Sequence, residues 1–354
     1  MRALLFAGSL GLIGTLLGTR WAIAILAKQG YGQLIRDDGP TSHHTKRGTP
    51  TMGGLVIILA TLVAYFAAKL LTRDLPSASA MLLLFLFVGL GAVGFVDDYI
   101  KIVKQRNLGL RSKAKFGGQT FVAVAFGWLS LQFADSRGFA PASPAISFIR
   151  VVNWELPAIL VIIWVLIIIV GTSNAVNLTD GLDGLATGSA VMVFGAYTLV
   201  GIWQNNQFCA ITPGEECYNA IRDPLDLAVV AAAITGACFG FLWWNASPAQ
   251  IIMGDTGSLS LGGAMAGLAV MSRTELLLLV FGGLFAVITL SVILQVGFFK
   301  LSKGRRLLRM APLHHHFELL GWAEVTVVIR FWIICGISVA LGLGIFYAEW
   351  VLGV

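Results

Sequence analysis

Charge is what this chain has least of. Its 354 residues include 24 Lys and Arg and 18 Asp and Glu, 12% together, where an average soluble domain carries about 25%. Half the usual charge cannot furnish a polar skin for a soluble chain of this length. Cysteine is also scarce, four in all, which excludes a disulfide scaffold. Proline occurs only ten times and glycine has no three-residue period, so a collagen-like fibre is excluded. A chain that is 57% hydrophobic is not intrinsically disordered either. What it has in abundance is apolar sequence, and that makes it an integral membrane protein.

A membrane helix needs about 20 mostly apolar residues. Ten stretches qualify, at 3–26, 53–71, 80–96, 119–134, 156–173, 185–203, 225–244, 257–271, 276–299 and 326–348. They are continuously apolar rather than alternating, which rejects a β-barrel. The expectation is a single all-α polytopic unit over 1–354, with about ten transmembrane helices. Basic residues are retained on the cytoplasmic side of a membrane. Fifteen of the 24 fall in the connections after the first, third and ninth stretches. Those connections are therefore read as cytoplasmic and both termini as outside. The first stretch is read as a permanent span rather than a cleaved signal, because it is long and lacks a clean cleavage site.

The polar residues gather at the same pole. All five histidines fall there, with Asp37, Asp38, Asp97, Asp98, Asp180, Asp183 and Asp255. A transporter more often holds its ionisable groups near mid-membrane; this distribution suits an enzyme working at the membrane surface. Asp97 and Asp98, in GFVDDYIKIVK, could share a divalent metal or supply a base, or form a solvated helix end neutralised by Lys101 and Lys104. In SNAVNLTDGLDGLA, Asn174, Asn177, Asp180 and Asp183 recur every third residue. On one helix that spacing makes a slowly drifting stripe suited to Mg²⁺, ribose hydroxyls or a base edge. Asp255, in NASPAQIIMGDTGSLSLGG, stands among glycines whose backbone amides can meet phosphate. In APLHHHFELLGW, His314, His315 and His316 point about 100° apart on a helix, so they cannot form a one-faced metal triad. They read better as phosphate-facing donors than as zinc ligands. KRGTPTMGG, residues 46–54, could line a phosphate path with Lys46 and Thr51, or simply anchor a span. Gly89, Gly91 and Gly94 match the dinucleotide fingerprint G-x-G-x-x-G, but inside an apolar span the match is empty.

Taken together and in chain order, KRGTPTMGG, VDDYIK, SNAVNLTDGLDGLA, PAQIIMGDTGSL and PLHHHFE resemble the polyprenyl-phosphate N-acetylhexosamine-1-phosphate transferases. Within that family, PLHHHFE and KRGTPTMGG favour the branch whose donor is UDP-MurNAc-pentapeptide. The alternative is a sister enzyme that uses UDP-GlcNAc. The resemblance covers essentially the whole chain. It implies transfer of phospho-N-acetylmuramoyl-pentapeptide to undecaprenyl phosphate, giving lipid I and UMP. It further implies Mg²⁺ as cofactor and a bacterial inner membrane location, with the site facing the cytoplasm. Asp97, Asp98, Asp255 and His314 become the expected catalytic residues. Asp255 and Asn177 become metal ligands, with Asp97 attending the lipid phosphate. Lys46, Thr51, Lys113, Asn174, Asp180, Asp183, Asn245, His315 and His316 would serve the nucleotide-sugar. Relatives often carry an aromatic three residues before the Gly-Asp aspartate; here that position is Ile252. Membrane lipids are expected partners and nucleic acid is not; a homodimer is left open. On the opposite pole, Cys209 and Cys217 flank a Pro-Gly turn and are expected to form a disulfide that closes an outer loop.

Overall fold

The ten apolar stretches all become helices, joined so that one end of the bundle collects the polar motifs. The computed structural model describes residues 1–28, 48–104, 109–148, 151–209 and 221–352. In chain order the elements are α1 (Arg2–Lys28), α2 (Gly54–Thr72), α3 (Ala78–Val103), α4 (Ser112–Ser130), β1 (Ala145–Ser147), β2 (Val151–Glu155), α5 (Ala158–Thr179) and α6 (Leu185–Asn206). They continue with α7 (Pro224–Asn245), α8 (Gly254–Met271), α9 (Leu278–Phe281), α10 (Gly283–Leu301), α11 (Leu313–Glu318) and α12 (Glu324–Leu352). Strands β1 and β2 form a small antiparallel hairpin, a minor addition to an otherwise all-α protein.

Among the described residues, eight helices are long and apolar enough to cross a membrane: α1, α2, α3, α5, α6, α7, α10 and α12. The other two expected spans fall on α4 and α8, which lie outside that set. Helix α4 opens on Ser-Lys-Ala-Lys, and α8 is rich in Gly and Ser. Every residue of α8 from Thr256 to Met271 is buried. Surrounded by protein, it has no need of a lipid-compatible surface. The ninth stretch is broken at Gly282–Gly283 into α9 and α10.

Lipid tails are as apolar as leucine, so helices in a bilayer associate through close packing rather than hydrophobic exclusion. Small residues supply that packing here. Helices α1 and α7 run parallel: a Cβ on Gly236 would fall 2.0 Å from the Gly8 carbonyl oxygen, and one on Gly240 2.3 Å from that of Leu12. Helix α8 runs antiparallel to α3, with Gly263 against Leu90 and Gly94 against the Asp255 backbone. Gly91 and Gly94 of the empty fingerprint are thus packing residues.

The pole away from the motifs is tied by buried polar groups. Asp226 on α7 pairs with Lys69 on α2 at 3.1 Å. It also accepts from the Tyr65 hydroxyl at 3.0 Å and from the Ser77 amide at 2.8 Å. Arg273 donates to the carbonyls of Ala140 and Pro141, and the Leu276 amide to that of Ser147. These bonds fix the hairpin segment to the end of α8. Cys209 is disulfide-bonded, whereas Cys238 and Cys335 are free; Cys217 lies outside the described residues.

Candidate active site

The last three turns of α3 and the first turn of α8 meet at the motif-bearing end. Gly94 lets the backbones touch there, since a Cβ on it would fall 2.2 Å from the Asp255 carbonyl oxygen. Gly54 does the same for α2, where a Cβ would fall 2.0 Å from the Gly257 amide nitrogen. With three helix ends drawn together, Asp97, Asp98 and Asp255 each present an oxygen to one point, all within 4.8 Å of one another. Asp97 and Asp98 are 3% exposed, so their charge has to be met inside the protein.

It is met in different ways. Asp98 is consumed by the start of α8: it accepts from the Asp255 amide at 3.2 Å, the Thr256 amide at 2.9 Å and the Thr256 hydroxyl at 2.7 Å. That is an N-cap supplied by another helix, satisfying donors that have no partner within their own. Asp97 accepts from the Leu110 amide at 2.8 Å and pairs with Lys101 at 2.6 Å. Asp255 takes both Lys101, at 2.9 Å, and Lys115, at 2.7 Å, on Oδ2. Its Oδ1 accepts from the Asn177 side-chain amide at 2.7 Å.

The remaining expected site residues divide into those brought to this centre and those spent elsewhere. Thr51 lies beside it, its hydroxyl 3.1 Å from where a Gly254 Cβ would stand. Asp180 lies close enough to feel Asp255, Asp98 and Asp183; burial first, then those carboxylates, push its pKa up to about 8. His314 is fully buried and packs on Gly181, where a Cβ would meet its Nε2. His315 bonds Glu318 at 2.6 Å, and His316 accepts from the Arg309 amide at 3.1 Å. The three rings therefore turn to different partners. Asp183 accepts from the Ala249 amide, and its own amide donates to Glu324. Asn245 is buried and holds Thr187 and the Ile251 carbonyl. Asn174 turns away to Gln119 and the Val170 carbonyl. Lys46 lies outside the described residues.

One expectation needs correcting. The 174–183 stripe is not helical throughout, because α5 stops at Thr179 and Gly184 adopts φ +77° before α6. Only Asn174 and Asn177 share the helix, so the two aspartates are placed by a turn. Among the basic residues of α4, Lys113 is exposed and Lys115 reaches the centre. Lys115 lies four residues before Gln119 on the buried face that continues through Val122, Ala123 and Phe126. That phase was the available signal.

The donor set fits a hard divalent cation. Three carboxylates converge within a span that one ion with oxygen ligands at about 2.1–2.4 Å can bridge with little adjustment. Neither thiolate nor imidazole takes part. Among the described residues this is the one group of three or more His, Cys, Asp or Glu able to hold a metal ion. Asn177 could join by turning its amide to present Oδ1.

A polytopic helical membrane protein with a carboxylate centre at one end of its bundle suits metal-assisted transfer chemistry at a membrane surface, and its similarity to known proteins names the class. The family model described as Glycosyl transferase family 4 matches residues 80–273, which contain all three aspartates. A phospho-N-acetylmuramoyl-pentapeptide-transferase signature matches residues 46–58. The chain is 68% identical to the phospho-N-acetylmuramoyl-pentapeptide-transferase of a Nocardioides species, with all of both chains covered. It is 64% identical to that of Cutibacterium acnes over the same full span, and 60% to that of Streptomyces avermitilis over 99% of each chain. The chain belongs to the phospho-N-acetylmuramoyl-pentapeptide-transferase family.

Proposed function

We propose that this protein transfers phospho-N-acetylmuramoyl-pentapeptide from UDP to undecaprenyl phosphate, yielding lipid I and UMP. The observation that carries the reading is full-length identity of 58–68% with relatives bearing that enzyme's name. The sister reaction with UDP-GlcNAc has no comparable support.

In this reaction a phosphate oxygen of the lipid attacks the sugar-bearing phosphorus, and the bond to the UMP oxygen breaks. Phosphoryl transfer asks little covalent work of the protein and much positioning and charge neutralisation. Mg²⁺ bound by Asp255, with Asp97 and the turned Asn177, would neutralise charge on the diphosphate. Lys101 and Lys115 add two cations to a centre that otherwise repels both anionic substrates. Asp97 would orient the lipid phosphate and take its proton where one is present. Asp98 holds the helix that carries Asp255. The turn from Asp180 to Asp183, with His314 packed on it, forms the wall on which the nucleotide-sugar would rest. With Ile252 where relatives often have an aromatic, base stacking is not assigned to that position. The basic connections support a cytoplasmic position for this end of the bundle, and the bacterial relatives support an inner-membrane location.

The test is synthesis by the purified protein in detergent. Undecaprenyl phosphate and UDP-MurNAc-pentapeptide should give lipid I and UMP in a Mg²⁺-dependent manner, and Asp255→Asn should give almost none. Product from UDP-GlcNAc at a comparable rate would overturn the assignment.

A further inference from the structure

We infer that Lys101 is the resident counter-ion of the carboxylate centre, seated where a divalent cation's charge belongs and driven off when the metal loads. The inference rests on the metal-dependent reading above and adds a role for a side chain that reading uses only as a positive charge.

One ammonium group touches all three carboxylates. Lys101 Nζ lies 2.6 Å from Asp97, 2.9 Å from Asp255 and 3.6 Å from Asp98. Its position on α3 makes this possible, four residues from Asp97 and three from Asp98, on one helix face. Three converging carboxylates cannot hold an ammonium group and a divalent cation at their common point together. The lysine has a route out: its side chain is one-third exposed, whereas those of Asp97 and Asp98 are 4% exposed. Asp97 and Asp98 stay fixed by the Leu110, Asp255 and Thr256 amides, and Asp255 by Asn177 and Lys115, so Lys101 is the part that moves. Among the three carboxylates Lys115 pairs with Asp255, and it can remain when the metal arrives.

Charge makes the exchange purposeful. Three carboxylates with two ammonium groups leave the centre one charge negative, so the empty site is nearly balanced. Adding a divalent cation makes it one charge positive. The displaced ammonium is then a free donor at the mouth of the site, where an incoming phosphate is the available partner. Metal loading would thus both bind the diphosphate and release a second cation for the same negative charge.

The exchange predicts an unusual direction. Removing a cation near a metal site should tighten metal binding, even as it slows turnover. A unit charge about 6 Å from a divalent ion in water-like surroundings changes affinity about tenfold. Mn²⁺ titrated into the full-length purified protein, without nucleotide or lipid, can be followed by the loss of its free EPR signal. Lys101→Gln should bind Mn²⁺ about tenfold more tightly than wild type, with Lys104→Gln unchanged as the control. Equal or weaker affinity in Lys101→Gln, with a wild-type melting curve, overturns the inference; so does absence of Mn²⁺ binding by both proteins. Lipid-product synthesis is read separately. Its absence would sink the assigned reaction while leaving the ion exchange standing.

Discussion

Asp98→Asn separates two uses of a buried carboxylate that sequence alone treats as one. Asp98 gives both oxygens to the start of α8, in contacts of 3.2, 2.9 and 2.7 Å. An asparagine retains one acceptor oxygen. If that oxygen stays at Thr256, an NH₂ group faces the Asp255 amide, donor against donor; if the amide rotates, the two Thr256 bonds are lost. Hydrogen bonds to a charged group contribute about 1.5–3 kcal/mol each, so losing one to two of them costs about 3 kcal/mol. With about 2.1 cal/mol/K of unfolding entropy per residue, a 354-residue chain should melt about 4 °C lower. The assay is thermal unfolding in detergent, with Asp97→Asn alongside. Asp97 holds one backbone amide and Lys101, so its variant should lose turnover with a smaller fall in melting temperature. Both variants should be slow, but Asp98→Asn should be slow because Asp255 is misplaced, and its Mn²⁺ affinity should fall with its stability. An inactive Asp98→Asn that melts like wild type would refute the capping argument and make Asp98 a reacting group.

At the far pole, Lys69→Met leaves the buried Asp226 carboxylate without its cation and should destabilise by about 3 kcal/mol; the turnover of correctly folded protein should be unchanged, which a melting curve paired with an activity assay will check. His314→Ala should lower turnover, whereas a zinc-selective chelator should not; activity lost to the chelator and restored by Zn²⁺ but not Mg²⁺ would reinstate a zinc site. Cys209→Ser should lower thermal stability by about 2.5 kcal/mol on the chain-entropy model and spare catalysis. Mass spectrometry after alkylation without reduction should find Cys209 blocked and Cys238 reactive once the protein is denatured.

The helices were legible because membrane-scale apolar runs have no other stable outcome, and all ten became helical. Where sequence and structure part, the cause is local. Hydropathy could not foresee that α8 would be wholly enclosed, since enclosure depends on which glycines meet across helices. The Asn174–Asp183 periodicity suggested one helix because spacing carries no stop signal; the glycines at 181 and 184 supplied it. The three aspartates were legible as chemistry, but their division of labour was not. Whether a carboxylate caps a helix or faces a substrate is set by neighbours 157 and 158 residues away. Lys115 was hidden by Lys113, two residues off in a basic helix start. The phase of the buried face along α4 separates them, and charge counting does not use phase.

Helix α8 carries a consequence for how the molecule comes into being. A segment of glycine, serine and short apolar side chains is a poor candidate to enter a bilayer on its own as it leaves the insertion machinery. It needs α2, α3 and α5 already in place to receive it, through Gly54, Gly94 and the contact of Gly262 with Ser173. Asp255 stands at its tip. Biogenesis and the carboxylate centre are therefore coupled by construction: a copy whose central helix has not threaded home lacks one of its three converging carboxylates, and under the proposed reaction such an unfinished chain would be silent.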